Sequence, residues 1–161
     1  MDPLSITTGC LSLVGTITKV SLTLSAFVRT VRDARNDLDS VSRELLSLRT
    51  VLELLAEDTK GTSNPVPQNL EKQISGIVGN CDAAVQDIEK SLQKHETKKM
   101  ASINWAWSGR EEMARLRSTL EAHKSALELA LDMVALYFLC HIMYSLNYPL
   151  TSSMKFGDPR Y

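Results

Sequence analysis

Apolar residues recur along the start of the chain with the spacing of an amphipathic helix. Steps of four and three connect the apolar positions from Ile6 to Val31, which is close to the heptad spacing of a helix-bundle seam. The helix is predicted to begin after Asp2, because Pro3 suits the first helical position. The apolar stripe consists of Ile6, Cys10, Leu13, Ile17, Val20, Leu24, Phe27 and Val31.

The end of this first helix is difficult to place from spacing alone. The stripe continues without a slip to Leu38, which would permit one very long helix. Short polar residues at Asp33, Asn36 and Asp37 compete for backbone hydrogen bonds, so they favour a turn near Arg32–Asp37.

The same periodicity predicts three further helices. The second spans about Asp37–Asp58 and the third about Gln68–Lys94, with a Gly- and Pro-rich loop between them. The fourth starts at Gly109, where Ser108 and Glu111 have the spacing of a capping box. Their apolar stripes are Leu38, Val41, Leu45, Leu48, Leu52 and Leu55 in the second helix, Leu70, Ile74, Ile77, Cys81, Val85, Ile88 and Leu92 in the third, and Met113, Leu116, Leu120, His123, Leu127, Ala130 and Val134 in the fourth.

Comparable helix lengths and one apolar stripe per helix predict an all-α fold, an antiparallel four-helix bundle over residues 1–146. Residues 147–161 are predicted to be a disordered or atypical tail. From Met133 to Met154 the chain carries no charge if His141 is neutral. Either helix four continues to about Leu146 and covers the end of the bundle, or residues 133–148 anchor in a membrane, near the lower length limit for spanning.

The first helix is apolar over more of its circumference than one neighbouring surface needs. It carries no charge from Pro3 to Thr18, and Leu22 belongs to a second apolar set that lies off the main stripe. Either it is the central helix of the bundle, or its spare face inserts into a membrane or binds a partner. The candidate residues for that role are Leu4, Ile6, Leu11, Leu13, Val14 and Ile17.

Composition narrows the class of protein. The formal net charge is −1 and there is no basic tail, so nothing favours nucleic acid as a partner. Asp2 stands where a signal peptide carries positive charge, so a cytoplasmic protein is expected. Cys10, Cys81 and Cys140 are odd in number and lie on apolar stripes, which indicates reduced core thiols.

A search for catalytic chemistry gives no motif for nucleotide, dinucleotide or zinc binding. His95, His123 and His141 have no ligand spacing, and His123 is interpreted as a core or boundary histidine. The sequence therefore predicts a non-enzyme with no cofactor, no metal and no small-molecule substrate.

Arg29, Arg32 and Arg35 recur at three-residue spacing. They form either a solvated surface paired with Asp33 and Asp37, or a set of contacts to anionic lipid headgroups, to which each basic residue contributes about 1 kcal/mol.

A second cationic segment joins Lys94, Lys98 and Lys99 to Trp105 and Trp107. Basic residues beside Trp suit a membrane interface. Two Trp residues before a helix also commonly cap a core, and that interpretation is preferred.

Several collinear stretches resemble a known family. MDPLSITTGCLSLVGTITKVS and FVRTVRDARNDLDSVSRELLSLRTVLELLAED resemble the fungal N-terminal domain of STAND proteins, which is akin to HeLo and HeLo-like domains. QISGIVGNCDAAVQDIEKSLQKHE and WSGREEMARLRSTLEAHKSALELALDMVAL are similar to the third and fourth helices of that family. The resemblance covers about Met1–Leu136.

The resemblance implies an N-terminal effector or signalling domain of a fungal STAND-type, NLR-like protein. In related domains, oligomerisation releases the N-terminal helix, which permeabilises a membrane in programmed cell death and heterokaryon incompatibility. The segment that matches this helix is Pro3 to about Val20. The implied partners are further copies or related STAND proteins, and membrane lipids on activation at the plasma membrane. The alternative is a soluble interaction or oligomerisation module without membrane activity.

The chain departs from the family pattern in two places. No nucleotide-binding module or repeat follows, and beyond Leu136 the sequence ceases to resemble the family, which usually turns polar there. A truncated gene product or a misread intron would explain both, and this expectation weakens the tail-anchor hypothesis.

Overall fold

A computed structural model describes residues 3–60, 66–96 and 105–147. The side chains of residues 3–5, 33, 96, 145 and 147 lie outside this description. The described residues form four long helices, a 3-10 turn and a short π-helical segment, with no strand among them. The helices are α1 (Pro3–Thr30), α2 (Arg35–Lys60), α3 (Gln68–Glu96) and α4 (Arg110–Asn147). The 3-10 turn is Arg32–Ala34 and the π-helical segment is Trp105–Gly109.

The first turn lies slightly earlier than predicted. The backbone leaves the helical conformation at Val31, where φ is −117° and ψ is 83°, and α2 begins at Arg35. Val31 and Ala34 nevertheless stay fully buried across the break, which explains why the apolar phase passes through it unchanged. Asp37 falls in the first turn of α2, where a carboxylate favours the helix dipole.

The predicted stripes form the core, and the all-α prediction is confirmed. Every residue of the first two stripes is buried, from Ile6 in α1 to Val31 just after it, and from Leu38 to Leu55 in α2. In α3 and α4 the exceptions are Ile77 and His123, which are partly buried at the edge of the core.

The four helices surround this core in the order α1, α2, α4, α3. Consecutive helices run in opposite directions, as predicted, but α1 lies beside both α2 and α3, and α4 also lies beside both. An ion pair between Lys19 and Glu89 and the contact of Gly9 with Val78 show that α1 and α3 run parallel. The α2 and α4 pair is parallel as well.

Polar contacts fix this arrangement. The Lys124 ammonium lies 2.8 Å from Glu44 on α2, and the hydrogen bond that it donates raises the pKa of Lys124. Lys94 donates to Glu112 at 3.0 Å and links the end of α3 to the start of α4. Burial alone would raise the pKa of Glu112, but Lys94 and the neighbouring His95 outweigh it, so the pKa is lowered.

Trp105 closes one end of the core. It lies against α1, α2, α3 and the residue that precedes α4. Its ring centroid lies 5.2 Å from Phe27 of α1 and 5.9 Å from His95 of α3. Its indole nitrogen donates to Asp37 of α2 at 3.4 Å. A Cβ on Gly109, just before α4, would lie 2.6 Å from the indole ring, so this position requires glycine.

Three expectations are wrong in detail. Cys140 is exposed, so only Cys10 and Cys81 are core thiols. The chain is already helical at Trp105, so Ser108 lies within a helical turn instead of preceding α4 as its cap. Trp105 caps the core as preferred, but Trp107 is 87% exposed.

The C-terminal part of α4 also differs from expectation. The helix continues past Leu146 as predicted and ends at Asn147, but its last buried residue is Val134. Leu136, Leu139 and Leu146 are exposed, so this segment extends beyond the bundle instead of covering its end. The predicted tail from residue 148 onwards lies outside the described residues.

Replacing Trp105 with Ala is expected to lower the free energy of unfolding by about 3–5 kcal/mol, because it empties a fully buried site. Trp107→Ala is the matched control and should change stability by about 0.5 kcal/mol or less, since Trp107 is exposed. Urea unfolding of both variants measures the difference. Equal effects would show that Trp105 does not hold the end of the core.

Candidate functional site

The candidate insertion residues of α1 divide between two faces of the helix. Ile6, Leu13 and Ile17 are at most 2% exposed and point into the core. Leu11 is 47% exposed, and Val14 is partly buried against the core. The Leu4 side chain lies outside the described residues. The structure thus places the main stripe in the bundle and leaves Leu11, with Leu22 further along, on the surface.

The outer face of α1 is polar without being charged over most of its length. Its hydroxyl groups donate to backbone carbonyls four residues earlier in the same helix, at 2.9–3.4 Å. These bonds satisfy the hydroxyl donors inside the helix, so they do not depend on water. The residues are Thr16, Thr18, Thr23, Ser25 and Thr30.

One charge interrupts this face. The Lys19 ammonium lies 2.9 Å from Glu89 Oε1 on α3 and forms an ion pair with it. The Lys19 side chain is 70% exposed, and such a pair contributes at most about 1 kcal/mol.

The N-terminal half of α1 is held by small side chains, namely a pair of threonine hydroxyls and buried thiols. The hydroxyls of Thr7 and Thr59 form a buried hydrogen bond of 2.9 Å, and Thr59 also donates to the carbonyl of Leu55 at 2.8 Å. Cys10 of α1 and Cys81 of α3 are both fully buried. Burial raises the pKa of the Cys81 thiol to about 11, which keeps it protonated and unreactive.

The three arginines come together although the helix breaks between them. Arg29, Arg32 and Arg35 line one groove of about 810 Å³, together with Asp39 of α2, two serines and two aliphatic residues. None of the three forms an ion pair with a side chain that the structure describes.

The predicted pairing of these arginines with Asp37 is wrong. Asp37 accepts instead from Arg110 at 2.9 Å and from Trp105. Its other predicted partner, Asp33, has a side chain outside the described residues. The arginines are therefore a cationic cluster without Asp37 as a counter-ion.

The two parts of the candidate site lie at opposite ends of the bundle. About 35 Å of helix separates Ile6 from Arg29, at 1.5 Å per residue. The pairing of Thr7 with Thr59, and of Glu44 with Lys124, places the start of α1 at the end from which α4 extends. This proximity follows from the alternating directions of the four helices, which the sequence predicted, although this consequence was not drawn from the sequence.

Two helical segments are long and apolar enough to cross a membrane, judged by length and composition alone. They lie within Ile6–Thr30, where the mean hydropathy is 1.6, and within Trp105–Tyr144, where it is 1.7. In the described part of the chain, no three His, Cys, Asp or Glu side chains form a group suited to a metal ion.

The all-helical architecture with an apolar first helix agrees with the match of the chain to a family of HeLo-like N-terminal domains of fungal proteins. The chain belongs to the family described as pigment biosynthesis cluster protein PigL N-terminal, which it matches over residues 1–142. The match continues beyond Leu136, where the resemblance was expected to end. No curated protein and no solved structure matches the chain.

Leu13→Glu is expected to destabilise the bundle by several kcal/mol, since it places a charge in the core without a partner. Leu11→Glu, two residues earlier on the exposed side, should leave the free energy of unfolding within about 0.5 kcal/mol of the parent. Thermal unfolding followed by circular dichroism compares them. Comparable losses would place Leu11 in the core as well.

At pH 8, a thiol reagent is expected to label Cys140 rapidly and Cys10 and Cys81 only on unfolding, because the latter two are buried. With its pKa near 11, only about one Cys81 thiol in a thousand is ionised at this pH. Mass spectrometry of labelled peptides gives the rates, and Cys140→Ser provides the background. Fast labelling of Cys81 in the folded protein would contradict the packing of α1 on α3.

Proposed function

We propose that this domain is a membrane-targeting effector and signalling module of a STAND-type, NLR-like protein. Self-association, alone or with related STAND proteins, releases α1 from the bundle, and α1 then inserts into the plasma membrane and induces cell death. The observation that carries the proposal is that α1 combines a buried apolar stripe with an uncharged outer face from Pro3 to Thr18.

The burial of α1 determines which environments can accept the helix after its release. Each large apolar side chain of its stripe stabilises the bundle by about 1.5–3 kcal/mol, so exposing the whole stripe to water would cost about 10–20 kcal/mol, which is as large as the whole stability of an ordinary domain, about 5–15 kcal/mol. A lipid bilayer or an apolar partner surface restores that burial. Release is therefore favourable only when such an acceptor is present.

The outer face of α1 suits transfer into lipid. In the bilayer interior, backbone and hydroxyl groups have to find partners within the protein. The hydroxyls of Thr16, Thr18 and Ser25 already donate within their own helix and can retain these bonds. Lys19 is the exception, since it would leave Glu89 behind.

The arrangement of the helices allows α1 to leave the bundle while α2, α3 and α4 stay in contact. α1 packs on α2 and α3, and α4 packs on the same two helices from the other side. After release, α2, α4 and α3 remain a connected layer. The surface vacated by α1 becomes an apolar face on which further copies could assemble.

A soluble interaction module is the second candidate. The core position of Ile6, Leu13 and Ile17 is what a permanently buried helix requires. On this alternative, α1 stays in place and the exposed Leu11 and Leu22 contact a partner.

Dye leakage from vesicles with anionic lipid tests the proposal on the full chain, with and without a fused oligomerising tag. Deleting residues 1–20 would remove half of a core stripe, so a point variant is the better probe. Leu11→Glu should reduce the leakage rate at least tenfold, because an ionised carboxylate is costly inside a bilayer. Leu54→Glu on α2 is the matched control, since both leucines are 47% exposed.

Thiol labelling in the same samples reports whether α1 leaves. During leakage, Cys81 should become reactive in the parent chain and remain protected in Leu11→Glu. No leakage from folded, oligomerised protein would favour the soluble module. Leakage that is equal in Leu11→Glu and Leu54→Glu would exclude α1 as the inserting helix.

A further inference from the structure

The C-terminal part of α4 extends beyond the bundle as an apolar helix. α4 has 38 residues and α2, which runs beside it, has 26. At 1.5 Å per residue the difference is about 18 Å. We call Met133–Leu146 the apolar extension; Val134 at its start is buried and Phe138 still packs partly against the core, whereas its other large aliphatic side chains are exposed. Its large exposed side chains include Met133, Leu136, Leu139, Ile142, Met143 and Leu146.

The exposed apolar surface turns around the helix instead of forming one stripe. Residues three apart on a helix are rotated by about 60°, so Met133, Leu136, Leu139 and Ile142 together sweep about 180°. A docked partner helix covers a stripe of roughly 100°. One partner helix, including that of a second copy, would therefore leave much of this surface in water, whereas lipid surrounds a helix on all sides.

Charge and length further define the environment that this surface fits. The last Asp, Glu, Lys or Arg before the extension is Asp132, and none follows up to Asn147, so the stretch is uncharged if His141 is neutral. This uncharged helical stretch measures about 22 Å, short of the roughly 30 Å of a bilayer hydrocarbon core. Tyr137 and Tyr144 carry the amphipathic rings that favour a membrane interface. The described residues thus fit insertion into a bilayer better than a complete crossing.

We propose that the apolar extension is a second lipid-binding element, which inserts into the hydrocarbon region of a bilayer independently of α1. Because its contacts are apolar, it binds neutral and anionic bilayers alike. Anchoring by the extension would also bring the start of α1 towards the lipid, and this consequence alone rests on the proposed function.

Flotation of the full chain with neutral phosphatidylcholine vesicles tests the extension. The double variant Leu139→Glu/Ile142→Glu should reduce the vesicle-bound fraction at least tenfold. The control is Leu46→Glu/Leu54→Glu on α2, whose side chains are similarly exposed at 63% and 47%, against 58% and 54% in the extension. Circular dichroism checks that both variants fold, and size-exclusion chromatography records their oligomeric state.

The outcomes separate the two proposals. Parent and control that float, with a double variant that does not, support the extension as an anchor. Equal flotation of the double variant, or no flotation of the parent, overturns it. A parent that does not float but forms a dimer, which the double variant loses, assigns the surface to a second copy instead. Flotation without leakage would leave the anchor in place and refute insertion of α1.

Discussion

The packing of Trp105 is the constraint on which the rest of the bundle depends. One indole ring meets Phe27, Asp37, His95 and the glycine before α4, so it fixes the distances among all four helices at that end. At the other end of the described core no aromatic side chain is fully buried: Phe138 of α4 packs only partly against the core there, and α1 is held by threonine hydroxyls and buried thiols. The bundle therefore has a firmly packed end and an end built from smaller contacts, and the start of α1 belongs to the latter.

This asymmetry bears on the proposed release of α1. Separation of a helix from a bundle begins where the side chains of the helix are smallest and its polar contacts are fewest. Near its start α1 has Gly9 and Cys10 against α3, whereas near its end it has Phe27 against Trp105. Separation would thus progress from Ile6 towards Phe27, and an intermediate with its last turns still docked would keep α1 tethered to the domain.

The sequence predicts the helices and the core well, because periodicity records which side of a helix is buried. It predicts their arrangement poorly, because the order of helices around a core depends on contacts such as Lys124 with Glu44 that no local pattern contains. Trp105 and Trp107 lie two positions apart in the same segment, yet Trp105 is fully buried and Trp107 is exposed. Cys140 lies in an apolar run like the other cysteines, but the bundle ends before it, so apolar spacing alone could not show that it is exposed. The clustering of the arginines was expected only for an unbroken helix. The arginines nevertheless lie together, because the three-residue turn preserves the helical periodicity of the sequence.

The separation of the arginine groove from the start of α1 has an electrostatic consequence. At physiological salt the field of a charge is screened over about 8–10 Å. A domain that stands on the bilayer with its apolar extension downwards holds Arg29, Arg32 and Arg35 roughly 35 Å or more above the headgroups, far outside that range. An upright domain would thus be indifferent to the surface charge of the bilayer, whereas a domain lying on its side would bind more weakly as salt increases. The salt dependence of binding consequently reports the orientation of the molecule, and in the upright state the cationic groove faces away from the bilayer.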